Sequence, residues 1–243
     1  MRMHRAFLRL LCAVLAALLF AVPGFVQAQE GSSITLTFTG DCTLGNQERL
    51  MHQPYAFVNV IREQGFQYPF AKVQELFKTD DLTIINLENV FYDENKGRTD
   101  KNYNFRSPTE FARILPEGSV EVAFIGNNHI MDYGEKGLRS TLAALTEQGI
   151  PWFGSIPVAP STYTYEKDGI KVGFIGTYPS YFYSHRSGMA DSMTALKEAG
   201  CEVIIAVIHG GTEYSWTRDR HQMRLANWFV DHGADLIIGH HPH

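Results

Sequence analysis

Apolar and polar positions follow two rhythms along this chain. Residues 33–40 (SITLTFTG) alternate and are rich in β-branched side chains, which predicts a first strand. Residues 82–87 (LTIINL), 120–125, 170–175 and 203–208 are short apolar runs, the pattern of strands covered on both faces. Residues 236–238 open a last strand of the same kind. Between the strands the spacing becomes helical. Residues 70–78 carry Val73, Leu76 and Phe77, and residues 135–148 place Leu138, Leu142 and Leu145 on one face with Gly149 as the stop. Residues 189–199 and 218–231 read as two further helices, and polar residues 93–104 read as a loop. Ser107-Pro108-Thr109-Glu110 sets Pro first and Glu third in a helix capped by Ser107. No repeat, low-complexity tract or Gly/Ser linker interrupts the series. Buried strands alternating with helices specify an α/β layer fold, in which ligands collect at the carboxyl ends of the strands.

Those ends share a chemistry. The first closes on Gly40-Asp41, the second on Asn86-Leu87-Glu88-Asn89, and the third on Gly126-Asn127-Asn128-His129 with Asp132 behind it. The fourth leads into His209-Gly210-Gly211 and the last into Gly239-His240-His241-Pro242-His243. Five of the ten histidines lie there. Taken singly, each residue has a bland reading: a capping Asp, a surface Glu, a turn Asn, a core His. Five decorated strand ends in series point instead to a metal site. Carboxylate, amide oxygen and imidazole together suit Mn, Fe or Zn.

Composition narrows the class. The 243 residues are 44% hydrophobic and 19% charged, which excludes a disordered or fibrous chain. A net charge of −5 argues against a nucleic-acid partner. The N-terminus has its own pattern: Arg2, Arg5 and Arg9, a 13-residue apolar run at 10–22, then Val26-Gln27-Ala28. This reads as a secretory signal peptide over residues 1–28, cut before Gln29, so that an exported chain is expected. The run is shorter than the roughly 20 residues of a membrane span. Cleavage removes three arginines and leaves Cys42 and Cys201. These two are expected to stay unbridged, because one follows a strand and the other precedes one, about 20 Å apart.

The strand ends, in order, resemble the motif series of the calcineurin-like metallophosphoesterases, and more closely its CapA-like capsule-synthesis branch. The residues that carry the resemblance are FTGDCTLG at 38–45, NLENV at 86–90, FRSPTEFARIL at 105–115, NNHIMDYG at 127–134, HGGTEY at 209–214 and GADLIIGHHPH at 233–243. The resemblance implies a four-layer α/β/β/α sandwich holding two divalent metal ions. It places Asp41 on the first metal, Glu88 between the two, Asn128, His209 and His241 on the second, and His243 on the first. His129 would act as general acid or contact phosphate, and Asp132 would orient it. The superfamily usually opens Asp-x-His, whereas this chain has Asp41-Cys42-Thr43; Asn89 is the candidate substitute ligand. Two cations about 3.5–4 Å apart can clamp a phosphate oxygen and ionise water for in-line attack. The role implied is capsule or poly-γ-glutamate synthesis, anchoring or export. The partners expected are a phosphoester or anionic polymer, and a membrane-bound synthase.

Other positions keep two readings. Glu213 is either a further orienting group or a solvated carboxylate. His185 and Arg186, beside the tyrosine-rich 178–183, belong either to a substrate loop or to packed aromatics. Lys96, Arg98 and Lys101 either attract an anionic polymer or are simply solvated. His240 is expected to hydrogen-bond outward, and His232 to sit at a helix C-terminus without chemistry. A chain that stops on a ligand, His243, is expected to be a piece of a longer protein, with that ligand held most weakly.

Overall fold

The alternation of the apolar runs decides the layering. In the computed structural model, which describes residues 32–97, 100–157 and 159–243, the strands in chain order are β1 (Leu36–Cys42), β2 (Leu82–Leu87), β3 (Val90–Phe91), β4 (Arg106–Ser107), β5 (Val122–Phe124), β6 (Trp152–Ile156), β7 (Ala159–Ser161), β8 (Tyr163–Lys167), β9 (Ile170–Thr177), β10 (Val203–His209) and β11 (Leu236–His240). The helices are α1 (Phe57–Gln64), α2 (Gln74–Phe77), α3 (Ile114–Glu117), α4 (Gly134–Glu147), α5 (Pro179–Ser184), α6 (Arg186–Glu198) and α7 (Arg220–Asp231). The signal-peptide reading and Arg98 fall outside the described residues.

One large sheet runs β1-β2-β5-β6-β7 and the other β11-β10-β9-β8, while β3 and β4 pair in a small third sheet. Every pairing is parallel except β6 with β7 and β8 with β9. Successive side chains of a strand point to opposite faces, and both faces are used. Leu82, Ile84, Val122 and Phe124 meet Val172, Phe174, Ile205 and Val207 between the sheets. Ile85, Leu87, Ala123 and Ile125 turn the other way, onto Val58, Ile61, Ile114, Leu115, Leu138 and Leu145. Ile204, Ala206 and Ile208 face Phe182, Met189, Met193, Leu196, Leu225 and Phe229. The order is therefore helices, sheet, sheet, helices: the four-layer α/β/β/α arrangement expected.

The inter-sheet core centres on aromatic rings. Phe124 lies 5.3 Å from Phe153, and Phe153 5.7 Å from Phe174. The Phe124 ring fits because Gly126, Gly154 and Gly176 surround it without side chains. Helix ends follow their chemistry. α4 closes in a Schellman motif, with Gly149 at φ 68°, its N–H on Thr146 O (3.0 Å) and the Ile150 N–H on Leu145 O (2.9 Å).

Several expectations need correction. Residues 70–78 form no continuous helix: a 3₁₀ turn at Tyr68–Phe70 is followed by the short α2, and only Phe77 of the three apolar residues is buried. Ser107 caps nothing. It belongs to β4, paired with Phe91, and the following turn Thr109–Arg113 is 3₁₀. Asp93 takes the capping role from the polar loop, accepting from the Thr109 N–H (3.0 Å) and its hydroxyl (2.8 Å). α7 begins at Arg220 rather than 218, because Asp219 caps it in a reciprocal box with Gln222. α1, β6, β7 and β8 are elements beyond those the sequence pattern predicts. Cys42 and Cys201 are free, as expected.

Candidate metal centre

Five strand ends converge across the two sheets. In β1 the register against β2 shifts between Phe38 and Asp41, so that Asp41 pairs with Asn86. Such an irregularity re-aims a side chain. Asp41 Oδ1 accepts from Asn86 Nδ2 (2.5 Å), and Oδ2 accepts from the backbone N–H of His241 (3.0 Å). His243 Nδ1 lies 3.5 Å from Oδ2 and His209 Nδ1 3.6 Å from Oδ1. Burial raises the affinity of Asp41 for a proton, yet His209, Asn86 and His241 together hold the carboxyl well below the usual range.

Glu88 is buried at the centre. Its Oε1 is 3.4 Å from His209 Nε2 and 3.9 Å from His129 Nε2, and has no hydrogen-bond partner. His209 lies between the two carboxylates; Asn86 donates to its Nδ1 (2.9 Å), and Asn128 Oδ1 is 2.9 Å from its Nε2. Burial lowers the proton affinity of His209, but Asp41 and Glu88 outweigh that and raise it. His241 has Nδ1 buried without a partner, and burial lowers its pKa. Buried polar atoms are nearly always paired. Orphaned Glu88 Oε1 and His241 Nδ1, beside the Asp41 carboxylate, are donors suited to a cation. Among the described residues, one donor atom from each of Glu88, His209 and His241 lies within 4.8 Å of the others. The same holds for Asp41, Glu88 and His243, and for Glu213, His241 and His243. The donor set fits the divalent metals expected, and Glu88 belongs to two of the three groups.

His129 and Asp132 form a buried dyad beside these groups. His129 Nδ1 is 2.7 Å from Asp132 Oδ2, which also accepts from the Phe105 N–H (2.7 Å). The imidazole packs on Phe105 with ring centroids 4.7 Å apart. Asn86 and Asn127 lie below, both fully buried: Asn127 donates to Asn86 Oδ1 (2.9 Å) and Leu87 O (2.8 Å), and accepts from the His129 N–H (3.0 Å). Neither was singled out as a site residue. The signal available was their place in the strings NLENV and GNNHI.

Other positions differ from expectation. Asn89 does not join the cluster. Its amide oxygen accepts from the Leu44 N–H (2.9 Å), and its NH₂ donates to Val90 O (3.2 Å) and Ser107 Oγ (3.4 Å), so it ties loops together. Thr43 stands where the family histidine would, with its hydroxyl 3.5 Å from Glu88 Oε2. Lys101 is neither solvated nor poised for polymer: its ammonium bonds Asp132 Oδ1 and donates to Asn128 O (2.9 Å). His240 points inward. It hydrogen-bonds Thr39 O (2.9 Å) through Nε2 and stacks on Phe124, joining β11 to β1. The 178–183 stretch is packed rather than poised: Tyr181 and Phe182 of α5 are buried, and His185 stacks on Tyr181 at 4.1 Å. His232 ends α7 against Trp228, as expected, 2.7 Å from Trp228 O.

Relatives place this arrangement. The chain is 27% identical over 236 residues to the PGA biosynthesis protein CapA of Bacillus subtilis (strain 168), and 26% identical over 243 to the capsule biosynthesis protein CapA of Bacillus anthracis. Both alignments cover 90% of this chain; it spans 60% and 56% of those relatives' lengths. Among solved structures, a Staphylococcus aureus protein assigned as a 5′-nucleotidase superposes with a TM-score of 0.53 at 14% identity, over 86% of this chain and 45% of that one. That likeness shows the fold, a metallophosphoesterase-like α/β sandwich. The profile of the family described as bacterial capsule synthesis protein PGA_cap matches residues 35–243, almost every described residue. The chain therefore belongs to that family, the CapA-like branch of the metallophosphoesterase fold.

Proposed function

We propose that this protein is an exported hydrolase of capsule or poly-γ-glutamate biosynthesis, loaded with two divalent ions and acting on a phosphoester or a related acyl or isopeptide bond. The observation that carries the reading is Glu88, a buried carboxylate with an orphaned oxygen that belongs to two donor groups at once. Asp41, Glu88 and His243 would hold one ion; Glu88, Asn128, His209 and His241 would hold the other. Mn, Fe and Zn suit these donors. When bound, such a pair of ions supplies Lewis-acid polarisation and an ionised water.

The chain's own residues do the rest. Asp132 accepts the Nδ1–H of His129, and the imidazolium form would then give its Nε2 proton to the leaving oxygen as a general acid. Lys101 and the Phe105 N–H hold the Asp132 carboxylate in place, so the dyad keeps one orientation. Phe105 shields one face of the imidazole from water. Export is supported by the basic-then-apolar N-terminus ending at Ala28. Among the described residues no helix is long and apolar enough to cross a membrane.

The test is turnover of bis(p-nitrophenyl) phosphate by the purified chain with Mn²⁺ or Fe²⁺, beside Glu88→Gln and His129→Ala. Turnover that both substitutions abolish supports the hydrolase. A chain that binds metal but turns over neither this diester nor an isopeptide refutes it. A second reading then stands, favoured by Thr43 in place of a histidine ligand: a non-catalytic accessory factor that binds an anionic polymer or a membrane-bound synthase.

A further inference from the structure

Building on that dinuclear-metal reading, we propose that Glu213 is a positioning residue for the ligand His241: its half-exposed carboxylate, 3.9 Å from Nε2 and within reach of it by a side-chain rotation, takes the Nε2–H when the ion binds and thereby presents Nδ1 to the ion. The two nitrogens of His241 have different surroundings. Nδ1 is buried and has no partner, while Nε2 lies 3.9 Å from Glu213 Oε1, at the rim of the site. A neutral imidazole carries one proton. A carboxylate beside Nε2 draws the proton there, frees the Nδ1 lone pair and makes it more basic toward a cation.

The backbone is built to keep this pair opposed. The loop that follows β10 is stitched to the end of β11 and the segment after it by two hydrogen bonds, Gly210 N–H to His240 O (3.1 Å) and Tyr214 N–H to Pro242 O (2.8 Å). Gln222 of α7 anchors the first loop by donating to Gly210 O (2.8 Å). His241 has φ 99° and Tyr214 φ 60°, conformations that side-chain-bearing residues rarely adopt. Strain of this kind persists only where surrounding bonds impose it. Here the bonds are the two stitches and the Asp41 carboxylate, which holds the His241 N–H. They bring a half-exposed carboxylate, four residues past His209, to 3.9 Å from Nε2 of the imidazole that follows β11.

The experiment is calorimetric titration of Mn²⁺ alone into the metal-free chain and its Glu213→Ala and Glu213→Gln variants. Glu213→Ala should weaken Mn²⁺ binding about tenfold or more. Glu213→Gln keeps an oxygen that accepts from Nε2–H and should bind at least about threefold tighter than Glu213→Ala. The metal-free thermal midpoints of both should stay within about 1 °C of the unaltered chain, because Glu213 is at the surface. Unchanged Mn²⁺ affinity in Glu213→Ala overturns the proposal. So does Glu213→Gln binding as weakly as Glu213→Ala, which would make the carboxylate a direct ligand. Failure of the unaltered chain to take up Mn²⁺ overturns the dinuclear reading itself, and this inference with it.

Discussion

Adding one methyl group at Gly176 should damage this fold more than most surface changes. Gly176 lies on β9 with Val207 of β10 as its partner, against the Phe124 ring in the inter-sheet core. A Cβ there would meet Phe124 Cε2 at 2.5 Å and Val207 O at 2.6 Å, whereas carbon contacts are comfortable at about 3.5–4.0 Å. Neither neighbour can yield freely. The carbonyl belongs to a paired strand, and the ring is hemmed in by Phe153 at 5.3 Å and by the glycine backbones at 126 and 154. Overpacking of this kind costs about 1–3 kcal/mol. The reduced freedom of the unfolded chain returns about 0.4–1 kcal/mol. Taking the middle of each range, the expected net loss for Gly176→Ala is about 1.3 kcal/mol, which for a chain of this size lowers the thermal midpoint by about 3–5 °C. Gly188→Ala is the matched control: it lies in α6 with nothing within 4 Å of an added Cβ. There the same methyl should stabilise by about 0.5–1 kcal/mol. Thermal and guanidinium unfolding of the metal-free chain would read both. A Gly176→Ala chain as stable as the unaltered one, or both variants shifting in the same direction, would refute the account of the inter-sheet packing.

Three further outcomes are expected. Glu88→Gln should lower bound metal more than any other single ligand change, measured by elemental analysis after dialysis against Mn²⁺; a larger loss in His243→Ala would exclude a bridging role. Asp219→Ala should cost about 1 kcal/mol by removing the cap of α7. The Gln222 N–H holds the Asp219 pKa below its ordinary 3.8, so the cap's contribution is present above that value and lost as pH falls through the folded pKa. The gap between variant and unaltered chain should therefore close in unfolding curves taken below about pH 4; a gap that widens there would contradict the assignment. Thiol counting on the denatured, unreduced chain cut before Gln29 should return two free thiols. In the folded state Cys42 should alkylate slowly at neutral pH, because burial pushes its thiol up to about 11.

Much of the architecture was legible because both faces of the central strands are buried. Residues 82–87, 120–125 and 203–208 read as strands from composition alone, and the helix at 135–148 from its leucine spacing. The missed elements had weaker or contradictory signals. β6 carries Gly154 and Ser155 and follows Pro151, so local propensity argued against a strand. β8 does alternate, through Tyr163 and Tyr165, and turns into β9 through Asp168-Gly169 at φ 51° and 83°, the Asp-Gly signature of a tight hairpin. That signal is local and stands in the sequence itself. The segment at 70–78 misled in the opposite sense: its apolar spacing is real, but Val73 and Leu76 lie exposed with no layer to cover them.

The sequence by itself determined the chemistry of the centre: which residue types end which strands, and in what order. A strand's carboxyl end is a local property, so Asp41, Glu88, Asn128, His209, His241 and His243 could be named before any of them was placed. Which atoms face one another is not local. The centre draws on both sheets, which meet through the core around Phe124, Phe153 and Phe174 and through bonds such as those from His240 to Thr39 O, from the His241 N–H to Asp41 and from Asn86 to His209. Packing between distant segments decided that Asn89 bonds the Leu44 loop, that Lys101 serves Asp132, and that Glu213 faces His241. Each depends on contacts between residues distant in the chain, 45 positions for Asn89 and Leu44 and 31 for Lys101 and Asp132. Spacing along the chain carries no information about such pairs until the layers have packed.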